Sequence, residues 1–539
     1  VVPAEHILVR PTRAAELQRH PLWQRHRLPL LATLPLLPLY AIWWLFLATG
    51  GGDLAAQEAW AGFASRHGGS AYNLFWYGGM HTANYSLISP YLMAALGVRT
   101  VTAVSGLVAS WLAAVLIGRA GVRRPLGPAL LASLALWCDV ASGRTTFALG
   151  VALGLAAAVL LTGERRLVLA GAYSALATMA SPVAGLFLAV VGAGFLVVRD
   201  YGRALVLLVP PAVVVGMTTL LFPFEGEQPM PPGRIWPPVA LGLAVTALAP
   251  RGWRVARWSG AVYAAGTVLV YLIPSPIGTN VERFAELFAP AVLLAALLSV
   301  PRLRRLGRSL MVMALVFSVW WVGNKTANDL KAYRVVPAYA ADTNPVVHAL
   351  QRLGADRTRV EAVPARDHRE AAALAPHVNL ARGWNRQLDV ERARLFYDGT
   401  FSAATYRAWL DHWAVGFVVL PRGKPDGSAW GEARLVRKDR PDWLEPVWQD
   451  ANWRVYRVRD AVPLVSAPGT VVGTTSADLT LRVSRPGPVT VRVAYSPWLR
   501  VDNGCLNREG DFTRLTVTEP GEYRISSEYG PSSVPRSHC

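Results

Sequence analysis

Seven ionisable or strongly polar residues stand at the ends of long apolar runs: Asp53, Asp139, Arg144, Asn280, Glu282, Arg283 and Glu286. Groups of this kind near a bilayer are costly unless they have partners or a task. In WCDVASGRTTFALG, Asp139 and Arg144 flank a turn and are close enough to pair or to face a polar cavity. In SPIGTNVERFAELFAP, Arg283 meets a helix entrance near headgroup depth, where a guanidinium can fork onto a phosphate. An ordinary anchor or a local ion pair is the plainer alternative. Asp53 opens the helical pattern DLAAQEAWAGFASR, where capping the helix is its plain role and does not exclude chemistry.

Two further stretches carry unusual side chains. YNLFWYGGMHTANY packs Trp76, Tyr77 and His81 around a Gly-Gly pair. An interfacial aromatic belt accounts for much of this, and a close-fitting, sugar-stacking surface is the alternative. Glu225 and Glu227, in FPFEGEQPMPPGRIWPP, belong to a Pro-rich loop that can lie over a site or stay in solvent.

The elements that position these residues follow from composition. The 539 residues are 53% hydrophobic and 17% charged, and the apolar residues crowd into the first three-fifths of the chain. A membrane-crossing helix needs roughly 20 apolar residues for a hydrocarbon core about 30 Å thick. Runs near that length occupy 29–49, 98–118, 127–141, 144–162, 166–180, 182–198, 204–222, 236–250, 258–274, 286–300 and 309–323, which predicts an α-helical polytopic membrane protein of about eleven spans. The third and fifth are short enough to be re-entrant or broken.

The net charge of +19 sits mostly in this region, where residues 1–323 hold 24 Arg, no Lys and 11 Asp plus Glu. It alternates between loops. With the N-terminus in the cytoplasm, only Arg66, Arg99, Arg144, Arg234 and Arg283 fall outside, and the positive-inside rule selects that orientation. The expected layout is a cytoplasmic segment 1–28, a transmembrane domain 29–323 with a long external loop 50–97, and an external C-terminal region. Leu54, Trp60 and Phe63 predict that the loop begins with an amphipathic helix lying at the membrane interface. The first apolar run reads as a retained helix rather than a cleaved signal.

Residues 324–460 mix helical and strand-like patterns, including the apolar strand VGFVVLP, and predict an α/β domain. Residues 461–539 become period-two strands such as LTLRVSR and VTVRVAY, and predict a β-sandwich. Cys505 and Cys539 fall in this external part, where oxidising conditions allow them to pair; Cys138 lies in an apolar run. No metal-ligand spacing, phosphate-cradling Gly loop, GxSxG or CxxC is present, and the basic charge lacks a nucleic-acid motif.

An acidic first external loop, about eleven spans, the N-x-x-R element of Asn280 and Arg283, and a C-terminal ectodomain together resemble the GT-C glycosyltransferases, integral membrane enzymes that take sugars from polyprenyl-phosphate donors. ARGWNRQLD, LFYDG, WLDHWAVGFVVLP and YSPWLRV…GEYRISSEY are similar to actinobacterial membrane proteins related to that class. The resemblance implies a sugar transferred at the outer face of the plasma membrane to an envelope glycan, lipid or protein. It implies Asp53 as general base toward the acceptor hydroxyl, and Arg283, Asn280 and Arg144 around the donor phosphate. Trp76, Tyr77, His81, Glu58 and Asp139 are the expected sugar- and acceptor-binding residues. No acidic residue adjoins Asp53, Glu58 being five positions on, so a divalent metal has no evident second ligand there. A transporter or flippase of an envelope precursor and a non-catalytic assembly scaffold remain alternatives. The absence of clear repeats and the long ectodomain count against the transporter.

Overall fold

The computed structural model describes residues 22–163, 166–299 and 305–529; most of the expected cytoplasmic segment lies outside them. The chain begins with α1 (Leu22–Thr33), a 3₁₀ turn (Leu34–Leu36), α2 (Leu37–Ile42) and a π turn (Trp43–Leu47). Pro35 and Pro38 supply no backbone N–H, and the regular helical ladder is interrupted around them. The loop 50–97 holds α3 (Asp53–Arg66), the two-residue strands β1 (Tyr72–Asn73) and β2 (Met80–His81), and α4 (Ser89–Leu96).

Each remaining apolar run is a helix: α5 (Val98–Arg119), α6 (Leu126–Ala141), α7 (Thr145–Leu160), α8 (Leu167–Ala180), α9 (Pro182–Val197), α10 (Tyr201–Leu221), α11 (Trp236–Leu248), α12 (Arg254–Leu272), α13 (Glu282–Ser299) and α14 (Arg305–Tyr333). Among the described residues four segments are long and apolar enough to cross a membrane: His26–Leu47, α5, α10 and α14. At 16 residues each, α6 and α7 are about 24 Å long by helical rise. They stop at the polar turn Ser142–Arg144. In contrast, α14 runs ten residues past the predicted end of its apolar run, to Tyr333.

Beyond α14 lie the short α15 (Ala338–Ala341) and α16 (Asn344–Arg352), then a four-stranded mixed sheet. Its β3 (Arg359–Ala362) is followed by α17 (Arg369–Leu374), α18 (Arg386–Arg392) and α19 (Ala403–His412), and then by β4 (Val415–Pro421), α20 (Trp430–Arg434), β5 (Leu444–Gln449) and β6 (Trp453–Val458). The order is β3-β4-β6-β5, with β3 and β4 parallel and the other pairs antiparallel. All seven residues of β4 are buried, as a continuous apolar run at the centre of a covered sheet requires. Two antiparallel sheets, β10-β13-β8-β7 and β11-β12-β9, complete the chain. Their strands are β7 (Gly469–Thr474), β8 (Leu479–Val483), β9 (Gly487–Ala494), β10 (Leu499–Val501), β11 (Cys505–Glu509), β12 (Phe512–Val517) and β13 (Gly521–Ser527).

The loop 50–97 corrects one expectation. Leu54, Trp60 and Phe63 of α3 are buried in protein instead of facing the membrane interface. Ala56 and Trp60 share a core with Trp76, Tyr77 and Met80 of the loop and with Val346, Val360 and Trp453 of the C-terminal region. Tyr72, Leu74 and Phe75 enter the core of the two antiparallel sheets. Burying such a side chain stabilises by about 1.5–3 kcal/mol, so these joints fix the C-terminal region onto the helical one.

Candidate functional site

Asp53 is the first residue of α3, and Gly52 takes the capping position with φ 64°. No side chain caps the helix, which leaves the Asp53 carboxylate for other partners. The chain before it is held by Gly52 N donating to Asp367 O at 2.8 Å. Arg369 donates to Thr49 O, Thr49 Oγ1 and Tyr333 O at 3.1, 2.7 and 2.7 Å. Across the way, the α6–α7 turn approaches closely at Gly143 (φ 78°), where a Cβ would lie 2.8 Å from Leu54 Cγ. That approach brings Arg144 beside Asp53.

Arg144 is the hub of the site. Its guanidinium lies 3.2 Å from Asp139 Oδ1 and 3.0 Å from Glu286 Oε2, and 3.9 Å from both Asp53 Oδ2 and Asp329 Oδ2. Arg283 Nη2 is 3.7 Å from Asp53 Oδ2, with its guanidinium 5.2 Å from the Phe147 ring centre. Lys325 bonds Glu286 and lies 2.7 Å from Glu282 Oε2. Arg234 grips Glu282 with two bonds of 2.7 and 2.5 Å. Ser142 Oγ donates to Asp329 Oδ2 at 2.8 Å.

Exposure separates structural members from available ones. Arg144, Asp139, Glu286 and Glu282 have side chains 9% exposed or less, against 32% for Asp53, 26% for Asp329, 21% for Lys325 and 17% for Arg283. The buried set holds one guanidinium and three carboxylates, and Lys325 and Arg234 at its margin supply the two further cations that balance it. The outer set forms an open edge with a carboxylate and a guanidinium side by side. Lys325 and Asp329 were not expected, because the apolar pattern ends before them. Their signal is spacing: Trp321, Lys325, Asp329 and Tyr333 recur every four residues, one stripe of α14.

Other expected residues take different places. Asn280, in the 3₁₀ turn Gly278–Val281, bonds Gln228 Oε1 at 2.9 Å and ties down the Pro-rich loop instead of joining Arg283. Glu225 in that loop is exposed and Glu227 partly buried. Glu58 is exposed, with its carboxylate against Gly50, and makes no ion pair to the cluster among the described residues. Tyr77 is fully buried, its hydroxyl bonded to the Asn385 backbone at 3.0–3.1 Å. His81 is buried, accepts or donates at Ser496 Oγ across 2.7 Å, and packs on Tyr72 and Phe222. Burial, with Arg392 adding to it, pushes the His81 pKa down to about 4. These two therefore present no face to a sugar; they join the loop to the C-terminal region. Asp139 is likewise committed to Arg144 and buried, so it serves the hub. Trp76 packs edge-on to Trp60 with ring centres 6.0 Å apart.

The C-terminal region holds a second polar group. Arg382 bonds Glu361 and Glu432, all three buried, and Tyr406 Oη donates to Glu432 at 2.8 Å. His368 stacks on Trp384 at 3.5 Å between ring centres and lies 3.9 Å from Asp426. Burial drives the His368 pKa down to about 3 against the opposing pull of Asp426. Cys505 is disulfide-bonded and Cys138 is free; Cys539 lies outside the described residues. Among the described residues no group of three His, Cys, Asp or Glu is placed to hold a metal ion.

The chain is similar to two solved structures of arabinofuranosyltransferase AftD from Mycobacteria. The first match has 13% identity, a TM-score of 0.46, and covers 94% of this chain and 57% of that one. The second, a mutant of the same enzyme, has 13% identity, a TM-score of 0.42, and covers 93% of this chain and 60% of that one. The chain thus spans less than two thirds of the length of either. No curated protein matches. A family model described as a domain of unknown function, DUF8823, matches residues 466–504, within the antiparallel sheets.

Proposed function

We propose that this protein is a polytopic membrane glycosyltransferase that moves a sugar from a polyprenyl-phosphate donor to an envelope glycan, lipid or protein at the outer face of the membrane. In this reading all eleven apolar helices span, the N-terminus is cytoplasmic, and residues 324–460 and 461–539 form two external domains. The observation that carries it is Asp53: a partly exposed carboxylate, not used as a helix cap, held between Arg283 and Arg144 at 3.7 and 3.9 Å.

The chemistry follows from that geometry. The acceptor hydroxyl oxygen attacks the anomeric carbon and its proton passes to an Asp53 oxygen. The bond from that carbon to the donor phosphate oxygen breaks, and the electron pair leaves with the phosphate. Arg283, which is partly exposed and only loosely held by Asp53, turns to the departing charge. Arg144 is occupied by Asp139 and Glu286 and acts as a fixed positive centre behind the site. Asn280 no longer belongs to the phosphate-binding set.

The test is incorporation of label from a panel of polyprenyl-phosphate-linked sugars by membranes containing wild type or Asp53→Asn. Wild type transfers; the variant loses about 10²–10⁴-fold, the usual contribution of a positioned base. A purified wild type that transfers from no donor but moves a solute across liposomes would establish the transporter instead.

A further inference from the structure

The short helix α4 has no watery side. Its sequence, SPYLMAAL, carries no charge. Ser89, Pro90 and Met93 are buried, and Met93 shares a small core with Ala61 of α3 and Val101 of α5. The opposite face is formed by Tyr91, Leu92, Ala95 and Leu96, spaced as neighbours on one side of a helix, and all four are exposed, Leu96 by 59%. A helix that is apolar all round belongs in a protein core or in lipid.

Hydrogen bonds fix the level at which this face sits. The last carbonyls of a helix have no partner within it. Those of α8 are met by the chain entering α4: Leu87 N and Ser86 Oγ donate to Met179 O at 2.9 and 3.2 Å, and Ser89 Oγ donates to Ala180 O at 3.1 Å. The carbonyl of Leu221, the last residue of α10, is met from near the other end of the sequence, by Trp498 Nε1 at 2.7 Å. Since α10 is long and apolar enough to cross a membrane, Trp498 stands where that crossing ends. Phe222 stacks on Trp498 with ring centres 5.0 Å apart, Tyr529 lies 6.0 Å from Trp498, and Tyr529 and Tyr91 line one small cleft together. A row of rings therefore joins α4 to the end of α10, and Tyr and Trp, apolar in body and polar at the tip, are the side chains of a membrane–water boundary. Pro497, beside Trp498, is exposed.

We propose that α4 and the Pro497–Trp498 turn form a lipid footing, in which Tyr91, Leu92, Ala95, Leu96 and Pro497 lie in the headgroup–acyl boundary of the outer leaflet. The antiparallel sheets thus touch the bilayer through a turn of their own, besides being carried by the helices. The proposal rests on α8 and α10 spanning the membrane and is independent of sugar transfer. It gives to α4 the interfacial role that the apolar residues of α3 suggest in the sequence. Because Met93 binds α4 to α3, the footing also sets the height of the helix that begins at Asp53.

The test is the depth of nitroxide labels on full-length protein in lipid nanodiscs, read from collisions with oxygen, which enters lipid, and with a nickel chelate, which stays in water. Single cysteines are placed on a Cys138→Ala background by Leu92→Cys, Leu96→Cys and Pro497→Cys. Val213→Cys, exposed in the middle of α10, calibrates lipid, and Lys438→Cys, exposed in the C-terminal region, calibrates water. All three test positions read between the two controls, buried about 5–10 Å into the headgroup region, the depth of an interfacial helix. Ala95→Cys and Tyr529→Cys replace a position whose variant does not fold. Values at α4 or at the turn equal to Lys438 overturn the proposal, as do values equal to Val213, which would make α4 part of a span. Labels shielded from both reagents also overturn it, because a protein surface then covers the face.

Discussion

Arg283 Nη2 stands 3.7 Å from Asp53 Oδ2, too far for a good hydrogen bond and near enough for a Coulombic hold. In the proposed reaction the pair separates when a phosphate offers Arg283 a better partner, which frees Asp53 to accept a proton.

Replacing Arg283 tests that exchange. Arg283→Gln lowers transfer about 10²–10³-fold, the scale for loss of one charge-stabilising donor. Arg283→Lys keeps the charge without the fork and recovers part of the rate. Steady-state kinetics should place the loss in kcat, with thermal stability in detergent unchanged. Equal rates for Arg283→Gln and wild type would remove it from the chemistry.

Gly52→Ala is the backbone counterpart. Gly52 has φ 64°, and a Cβ there would lie 2.5 Å from Tyr333 Cε2. The strain is about 1–3 kcal/mol, and relieving it moves the start of α3 with Asp53. A shift of about 1 Å at a reacting group can cost up to about 100-fold, so activity falls far more than stability. Adding Tyr333→Ala removes the clash and restores part of the activity.

The inner ion network makes a stability prediction. Lys325→Met leaves Glu286 and Glu282 short of a buried cation, and breaking such a pair costs about 3–5 kcal/mol. Glu286→Gln alone also destabilises by freeing charge on Arg144 and Lys325. The double variant costs less than the sum of the two, because the orphaned charges disappear together. Thermal unfolding of the four proteins in one detergent reads the coupling.

His368 makes the C-terminal region acid-sensitive. Its pKa is about 3 in the fold against an ordinary 6.5, so the unfolded chain binds the extra proton first as pH falls. Stability from this group is complete above about pH 6.5 and is lost progressively down to about 3, at up to about 1.4 kcal/mol per pH unit. His368→Gln flattens that slope. Chemical denaturation of the full chain between pH 7 and 4 measures it.

Much of this was legible beforehand, and the limits have physical causes. Apolar runs are a local signal, so every helix from α5 to α14 was visible in composition alone. The ion network is not local. Arg144 gathers Asp53, Asp139, Glu286 and Asp329 from four segments, and only the neighbour five positions away could be anticipated. Hydropathy also marks where a helix stops being greasy, not where its backbone ends, which is why Lys325 and Asp329 escaped notice. Trp76, Tyr77 and His81 show the converse error. Aromatic density was read as an interfacial belt or a sugar-stacking surface, and most of it is a joint between two parts of one chain. Asp53 needed the opposite correction, because Gly52 rather than Asp53 occupies the capping position.

The joint has a consequence for how the molecule comes into being. Tyr72 Oη donates to Ala494 O at 2.8 Å, and the two residues are 422 positions apart. A ribosome adding 5–20 residues per second needs about 20–80 s to make that stretch. Throughout that time Tyr72, Leu74 and Phe75 are already synthesised while the strands that cover them do not exist. The first loop therefore waits, greasy and unpaired, for the last strands to arrive, and that interval is when a chaperone or a protease would meet it.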